Sequence, residues 1–185
     1  LTGLPPSPER VESFVRESGA HSDAFSKLLD ELLASPHYGE RWARHWLDTI
    51  HYADSHGAEH DMGRKYAWPF RDYVIDTFNK DVSYSRFVRE QHAADVLFPN
   101  RPDLTPAMGY LSAGNFDLSA YYTAPIPFEI LDRDDMVNQA MSTFVSTTAN
   151  CARCHDHKFD PIPTTDYWSL QAVFSGVIKG DVTYE

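Results

Sequence analysis

The densest chemistry in the sequence lies in Cys151-Ala152-Arg153-Cys154-His155. It holds the chain's only two cysteines, with two residues between them and a histidine directly after the second. Two thiols at that spacing reach the two vinyl groups of one porphyrin, and the next side chain falls under the iron, so the run has the form of a covalent haem c attachment site. A stray match in a chain of this length is expected with odds of roughly one in a thousand at average residue usage, which makes the motif specific for so short a run. Two other chemistries compete for the same residues. A zinc ion could take Cys151, Cys154 and one or both of His155 and His157, but needs a further ligand from elsewhere. A redox dithiol usually follows a strand in a βαβ unit, and here a helix precedes the cysteines. The haem reading expects thioether bonds at Cys151 and Cys154, His155 as the proximal iron ligand, and haem c as the cofactor.

The elements that must carry this motif read as helices. A long helix from Pro127 or Phe128 to Thr148, with Ile130, Val137, Met141, Phe144, Val145 and Thr148 on one face, delivers the chain into Asn150. Asp134 interrupts that face, and its neighbours Asp132, Arg133 and Asp135 suggest a local ion pair. Beyond the motif, Asp156 to Pro163 forms a rigid proline-limited turn, and Thr165 caps a last helix with Tyr167, Leu170, Val173, Phe174 and Val177 inward. Near the start, Ser7-Pro8 and Ser35-Pro36 each give a cap followed by a first-turn proline. The first opens a helix to about Arg16, and the second opens one to about Ala53. In that second helix Tyr38, Trp42, Trp46 and Ile50 recur at i+4 as a core stripe. His37, Arg41 and His45 share a neighbouring line, so that one of the histidines can face inward.

Between the serine signals, Ser22 caps a helix with Phe25, Leu28, Leu29, Leu32 and Leu33 at helical spacing. Asp54 to Trp68 reads as a long loop, of the kind that is often functional. Pro69 starts a helix with Phe70, Tyr73, Val74 and Phe78 inward, and Ser83 caps another with Phe87, Val88, Gln91 and Ala94. Leu97 to Pro127 is broken by prolines and glycines into loop, with one turn near Pro106 to Leu111. With no internal repeat and no convincing run of alternating strands, the fold class is all-α: one irregular helical domain over residues 1–185 with long loops around the haem.

Composition sets limits on the partners. The 185 residues, 42% hydrophobic and 14% aromatic, suffice for one domain with its own core. A formal net charge of −11 and the lack of a basic run argue against nucleic acid or an anionic membrane surface, and favour a basic docking face on any protein partner. No apolar stretch approaches the ~20 residues of a membrane span. Two cysteines held in one motif leave no disulfide framework. No signal peptide precedes Leu1, and a start on Leu fits a processed protein or a fragment of a larger one. The compartment therefore follows from the haem, which is normally attached outside the cytoplasmic membrane.

Four blocks also carry a family resemblance: Ser35 to Asp48 (SPHYGERWARHWLD), Tyr52 to Ser55 (YADS), Phe70 to Ile75 with Phe78 and Asn79, and Cys151 to Ile162 (CARCHDHKFDPI). With the opening Leu1 to Pro6 they span nearly the whole chain, and together they resemble the planctomycete cytochrome C domain family, first catalogued as a domain of unknown function. The resemblance implies an exported haem-bearing domain of large multidomain bacterial proteins, commonly followed by a second domain of unknown function. It supplies no reaction. The chain departs from the family's pattern at His51, where arginine is usual, and at His92, where leucine is usual, so neither is a good candidate for a ligand shared across the family.

The sixth iron position decides what such a haem can do: a second His or a Met gives an electron carrier, and an open position permits oxidant binding and catalysis. Candidates are His45, His56, His60, Met136 and Met141, with His45 favoured because it stands on the rigid aromatic helix inside a family-like block. His157 is too near His155 along the chain to reach the opposite haem face. His157 or Asp160 could orient His155 or pin the turn, Lys158 or Arg153 could neutralise a haem propionate, and Asp48 or Asp54 could act as proton groups. The expected function is electron transfer outside the cytoplasmic membrane, in a periplasmic or otherwise exported setting, with a redox partner protein or fused domain. The alternatives are a haem enzyme activating peroxide or oxygen at an open distal site, and a zinc-stabilised binding module.

Overall fold

Ser7 and Ser35 start helices as their sequence signals require. The Ser7 hydroxyl accepts from the Arg10 N–H and Pro8 occupies the first turn of α1, Pro8–Ala20, which continues past the expected Arg16. The computed structural model describes residues 1–57 and 59–180. Helix α2, Ala24–Leu33, begins after Asp23 rather than on a Ser22 cap. Only Leu28, Leu29 and Leu32 of its apolar set are half-buried, whereas Phe25 and Leu33 are exposed. An Arg10–Glu31 ion pair at 2.6 Å ties α1 to α2.

Helices α3, Pro36–Thr49, and α4, Trp68–Asn79, form a closely packed pair. Gly39 makes the approach possible, because a Cβ there would collide with the Ile75 carbonyl and the Asn79 side chain. Asn79 turns that proximity into a cap: its Oδ1 accepts from the Gly39 N–H at 2.8 Å, and its Nδ2 donates to the Pro36 carbonyl at 3.1 Å. The aromatic stripe of α3 runs from water into the core, with Trp42 40% exposed and Ile50, just past the helix, buried. His37 and His45 are both exposed, so neither faces inward.

Helix α3 stops before the expected Ala53. The Tyr52 N–H donates to the Leu47 carbonyl and the His51 N–H to that of Asp48. This is a Schellman cap, and it places His51 at φ +44° in the left-handed position usually held by glycine.

Helix α5, Tyr84–Leu97, kinks at Ala93 and packs against a 3-10 run, Pro102–Ser112. That run corrects the reading of Leu97 to Pro127 as loop with one turn. Leu104, Ala107, Tyr110 and Ala113 are buried at a spacing of three, the period of a 3-10 helix, with Pro102 at the start of the run and Pro106 inside it. A short helix α6, Leu118–Thr123, follows. These elements enclose a first core of Ala43, Ile50, Phe70, Val74, Phe87 and Tyr110, in which each large apolar side chain contributes about 1.5–3 kcal/mol. A carboxylate, Glu90, is buried at its edge and accepts from the Tyr73 hydroxyl at 2.8 Å and from Arg86 at 2.6 Å.

The second core carries the motif. Helix α7, Pro125–Ala140, does not continue to Thr148: it loosens into a π turn, Met141–Val145, and ends on Ser146 at φ +56°. Val137 is buried as expected, with Met136 beside it, whereas beyond the start of the wider turn Val145 and Thr148 are exposed. A 3-10 turn, Asn150–Arg153, holds the motif, and helix α8, Thr164–Val173, closes the core. Thr165 lies inside α8 and is not its cap. Tyr167 and Phe174 are inward as expected, and Val173 points outward. Met136, Val137, Ala149, Ala152, Tyr167 and Phe174 form this core, and Leu111 packs against both cores. Among the described residues there is no strand, only an isolated Ser55–Gly63 bridge pinching the long loop, and the all-α expectation is borne out. Among the described residues no helix is long and apolar enough to cross a membrane.

Candidate functional site

Ala152 is the pivot of the motif. Its methyl is buried in the second core, and its N–H donates to the Ala149 carbonyl at 2.9 Å. With Ala152 turned inward, Cys151 and Cys154 are left on the outside as free, exposed thiols. His155 is also exposed, and its Nδ1 lies 2.8 Å from the Asp156 carbonyl oxygen. A carbonyl only accepts, so Nδ1 carries the proton and the lone pair stands on Nε2. Two free outward thiols and an imidazole with Nε2 available form the donor set a covalently held haem requires, so these residues fit that group.

The loop after the motif is pinned at both ends. The Asp156 carboxylate accepts from the Thr164 N–H at 2.9 Å, capping α8 from eight residues upstream. The His157 N–H donates to the Ile162 carbonyl at 2.9 Å, and His157 Nδ1 accepts the Asp160 N–H at 2.9 Å. With its Nδ1 lone pair committed, His157 does not use that nitrogen to donate to Asp160 Oδ2, 3.1 Å away. That carboxylate takes the Thr147 hydroxyl instead. His157 and Asp160 therefore hold the turn, and neither bonds to His155. Lys158 lies 5.2 Å over the ring of Phe159, which is 83% exposed.

Arg153 reaches back to α7, where Nη1 donates to Asp134 Oδ2 at 3.3 Å. Asp134 thus has its partner in the motif and not among its chain neighbours. Burial pushes the Asp134 carboxyl above the usual aspartate range; Arg153 opposes that shift and the Asp135 charge adds to it. The other oxygen, Oδ1, is buried without a hydrogen-bond partner.

The expected sixth-position residues are dispersed. His45 is exposed on α3, against Trp42 at 5.5 Å between ring centres, on the helix that serves the first core. His56 packs on Phe116 with a buried, unpartnered Nδ1, and His60 is exposed in the long loop. Met136 is buried in the second core, and Met141 is half-buried at the start of the π turn. His92 is held between Tyr110 and Phe144 with Nδ1 bonded to the Val88 carbonyl, and burial lowers its pKa. Asp48 and Asp54 are exposed, and Asp54 accepts from the Tyr52 hydroxyl at 2.8 Å.

Sequence reasoning set His51 aside, yet His51 lines a polar hollow of about 350 Å³ with Asn138, Gln139, Ser142, Thr148 and Asn150. Asn150 immediately precedes Cys151. The Arg64 guanidinium donates to the carbonyls of Ser112, Ala113 and Gly114 and holds that stretch of chain. A Cβ on Gly114 would collide with Asp135, which lies 4.0 Å from His51 Nε2. No sequence pattern links positions 51 and 150, because a helix cap and a π turn bring them together. A second hollow of about 320 Å³, lined by Asp156, His157, Asp160 and the prolines, flanks the other end of the motif. Among the described residues no three His, Cys, Asp or Glu side chains gather where one ion could be held, so the zinc reading gains no donor set.

The family described as PSCyt2, protein of unknown function (DUF1549), matches residues 1–179, and the chain belongs to it. That agrees with the resemblance read from the sequence blocks. No curated protein and no solved structure matches the chain.

Proposed function

We propose that this member of the PSCyt2 family holds one haem c through Cys151 and Cys154, with His155 as proximal ligand, and carries electrons outside the cytoplasmic membrane. The observation that carries the reading is the His155 tautomer. The Asp156 carbonyl commits Nδ1 as a donor and leaves Nε2 available beside two free, outward thiols. The bound group supplies a one-electron iron couple, and the chain's own residues do the rest. Ala152 and the Arg153–Asp134 pair fix the turn against the second core. Asp156 and His157 stiffen the loop behind the ligand, and the exposed Phe159 ring offers apolar cover next to the motif. Lys158, which makes no ion pair among the described residues, is the cation available to a propionate, since Arg153 is already engaged by Asp134.

The net charge of −11 steers a basic face of a redox protein or fused domain toward the chain. An exported location follows from where thioether haem is made. A haem enzyme is the second reading, supported by the hollow next to Asn150, which offers room for a small oxidant.

The test is production in a host that matures c-type cytochromes, followed by haem staining after denaturation. Stain retained by the native chain and lost in the Cys151→Ala, Cys154→Ala double variant supports the attachment; an unstained native chain contradicts it. A ferrous spectrum unmoved by carbon monoxide supports the carrier, and a high-spin form that binds it supports the enzyme.

A further inference from the structure

We infer that the hollow beside Asn150 is a binding site for a neutral, hydroxylated small molecule the size of one sugar unit, an assignment that stands apart from the haem reading. Two consecutive amides of α7 make its floor. Asn138 lines the hollow, and its Oδ1 is buried with no hydrogen-bond partner. Gln139, 2% exposed, commits Nε2 to the Tyr110 carbonyl at 2.6 Å, which leaves its own carbonyl Oε1 as the uncommitted end. A native chain rarely buries an acceptor without a donor, so the occupant that suits this floor brings donors.

The rim is as polar as the floor. Ser142, Thr148 and Asn150 are exposed there. Ser142 Oγ donates to the Gln139 carbonyl at 3.2 Å and still has lone pairs to accept with. His51 adds an imidazole, with the Asp135 carboxylate 4.0 Å from its Nε2. Amides and hydroxyls set donors and acceptors side by side, and a hydroxyl group, itself both, answers that pattern. The same walls disfavour other classes. The amides and hydroxyls carry no charge, so an ion would give up hydration without a counter-charge from them, and they offer no large apolar side chain against which a hydrocarbon could be buried. A volume of about 350 Å³ lies at the small end of the roughly 300–1,000 Å³ of small-molecule sites, room for one ring and not for a chain. Two uncommon pieces of backbone shape the hollow. His51 holds a left-handed cap position at φ +44°, where glycine is usual, and Ser142 lies in the π turn, an element that recurs at functional sites.

Saturation-transfer NMR on the full chain, with glucose, galactose, mannose and xylose each added as the probe, tests the assignment. At least one of the four should take up saturation, and gluconate and glucosamine, charged in opposite senses, should bind less well. His51→Gly suits φ +44°, and Thr148 is exposed, so His51→Gly and Thr148→Ala each remove one partner without threatening the fold. Each should weaken binding about fivefold, the worth of one neutral hydrogen bond. Asn138→Leu should abolish binding; if that variant does not fold, the other two decide. No transfer to any of the four sugars, transfer that His51→Gly and Thr148→Ala leave unchanged, or tighter binding of gluconate or glucosamine overturns the assignment. Haem attachment is read separately by the stain, so neither result decides the other.

Discussion

Arg153→Ala should destabilise the chain through Asp134, with a pH dependence that identifies the cause. Breaking a fully buried ion pair by removing one partner costs about 3–5 kcal/mol. Here Asp134 is 14% exposed and Arg153 39% exposed, so the guanidinium is screened by water and the expected loss falls to ~1–2 kcal/mol. For a chain of this size that lowers Tm by about 2–8 °C. Burial raises the Asp134 carboxyl, and Arg153 is the group that pulls it back. Without Arg153 the folded-state value rises further above the unfolded one. A raised folded value means that the folded chain keeps its proton longer. The associated stability is fully present below the ordinary aspartate value of 3.8 and is lost as pH rises through the folded value.

The deficit of Arg153→Ala should therefore be small in acid and complete by neutral pH. Urea unfolding followed by far-ultraviolet circular dichroism across that range measures it. Asp134→Asn in the Arg153→Ala background should recover most of the loss at neutral pH, since no buried charge remains. A deficit that does not change with pH, or a double variant no more stable than Arg153→Ala, would refute the reasoning.

Two further stability predictions follow from caps made across the fold. Asn79→Ala removes both bonds from α4 to the start of α3 and should cost about 1–2 kcal/mol by denaturant unfolding, whereas a loss below a few tenths would show those bonds to be idle. Asp156→Ala uncaps α8 and should cost about 1 kcal/mol. It should also speed amide exchange at Thr164, and unchanged exchange there would contradict the cap.

The helices were legible where local rules decide them. Ser7-Pro8 and Ser35-Pro36 start α1 and α3, and Phe70 and Val74 face inward, as cap and period imply. Non-α periods were not legible. Leu104, Ala107 and Tyr110 repeat every three residues between prolines, which reads as broken loop unless a 3-10 period is tested. Val137 faces inward as read, but Val145 and Thr148 were misjudged because the π turn at Met141–Val145 inserts extra rotation that no residue type announces. The run Cys151 to His155 stood out in the sequence because its spacing is local. The partner of Asp134 did not, since Arg153 lies nineteen positions away beyond a helix end. His51 was set aside because the resembling family usually has arginine there; its place beside Asn150 depends on how α3 is capped and is not written in its neighbours in the chain.

The most direct measurement of the central claim is a pyridine haemochrome spectrum of the chain produced in a host that attaches haem c, taken after extraction with acidified organic solvent. The account predicts one haem per chain that resists extraction and gives the spectrum of a porphyrin with both vinyl groups saturated, one by Cys151 and the other by Cys154. A haem that extracts completely, or no haem signal at all, would contradict it.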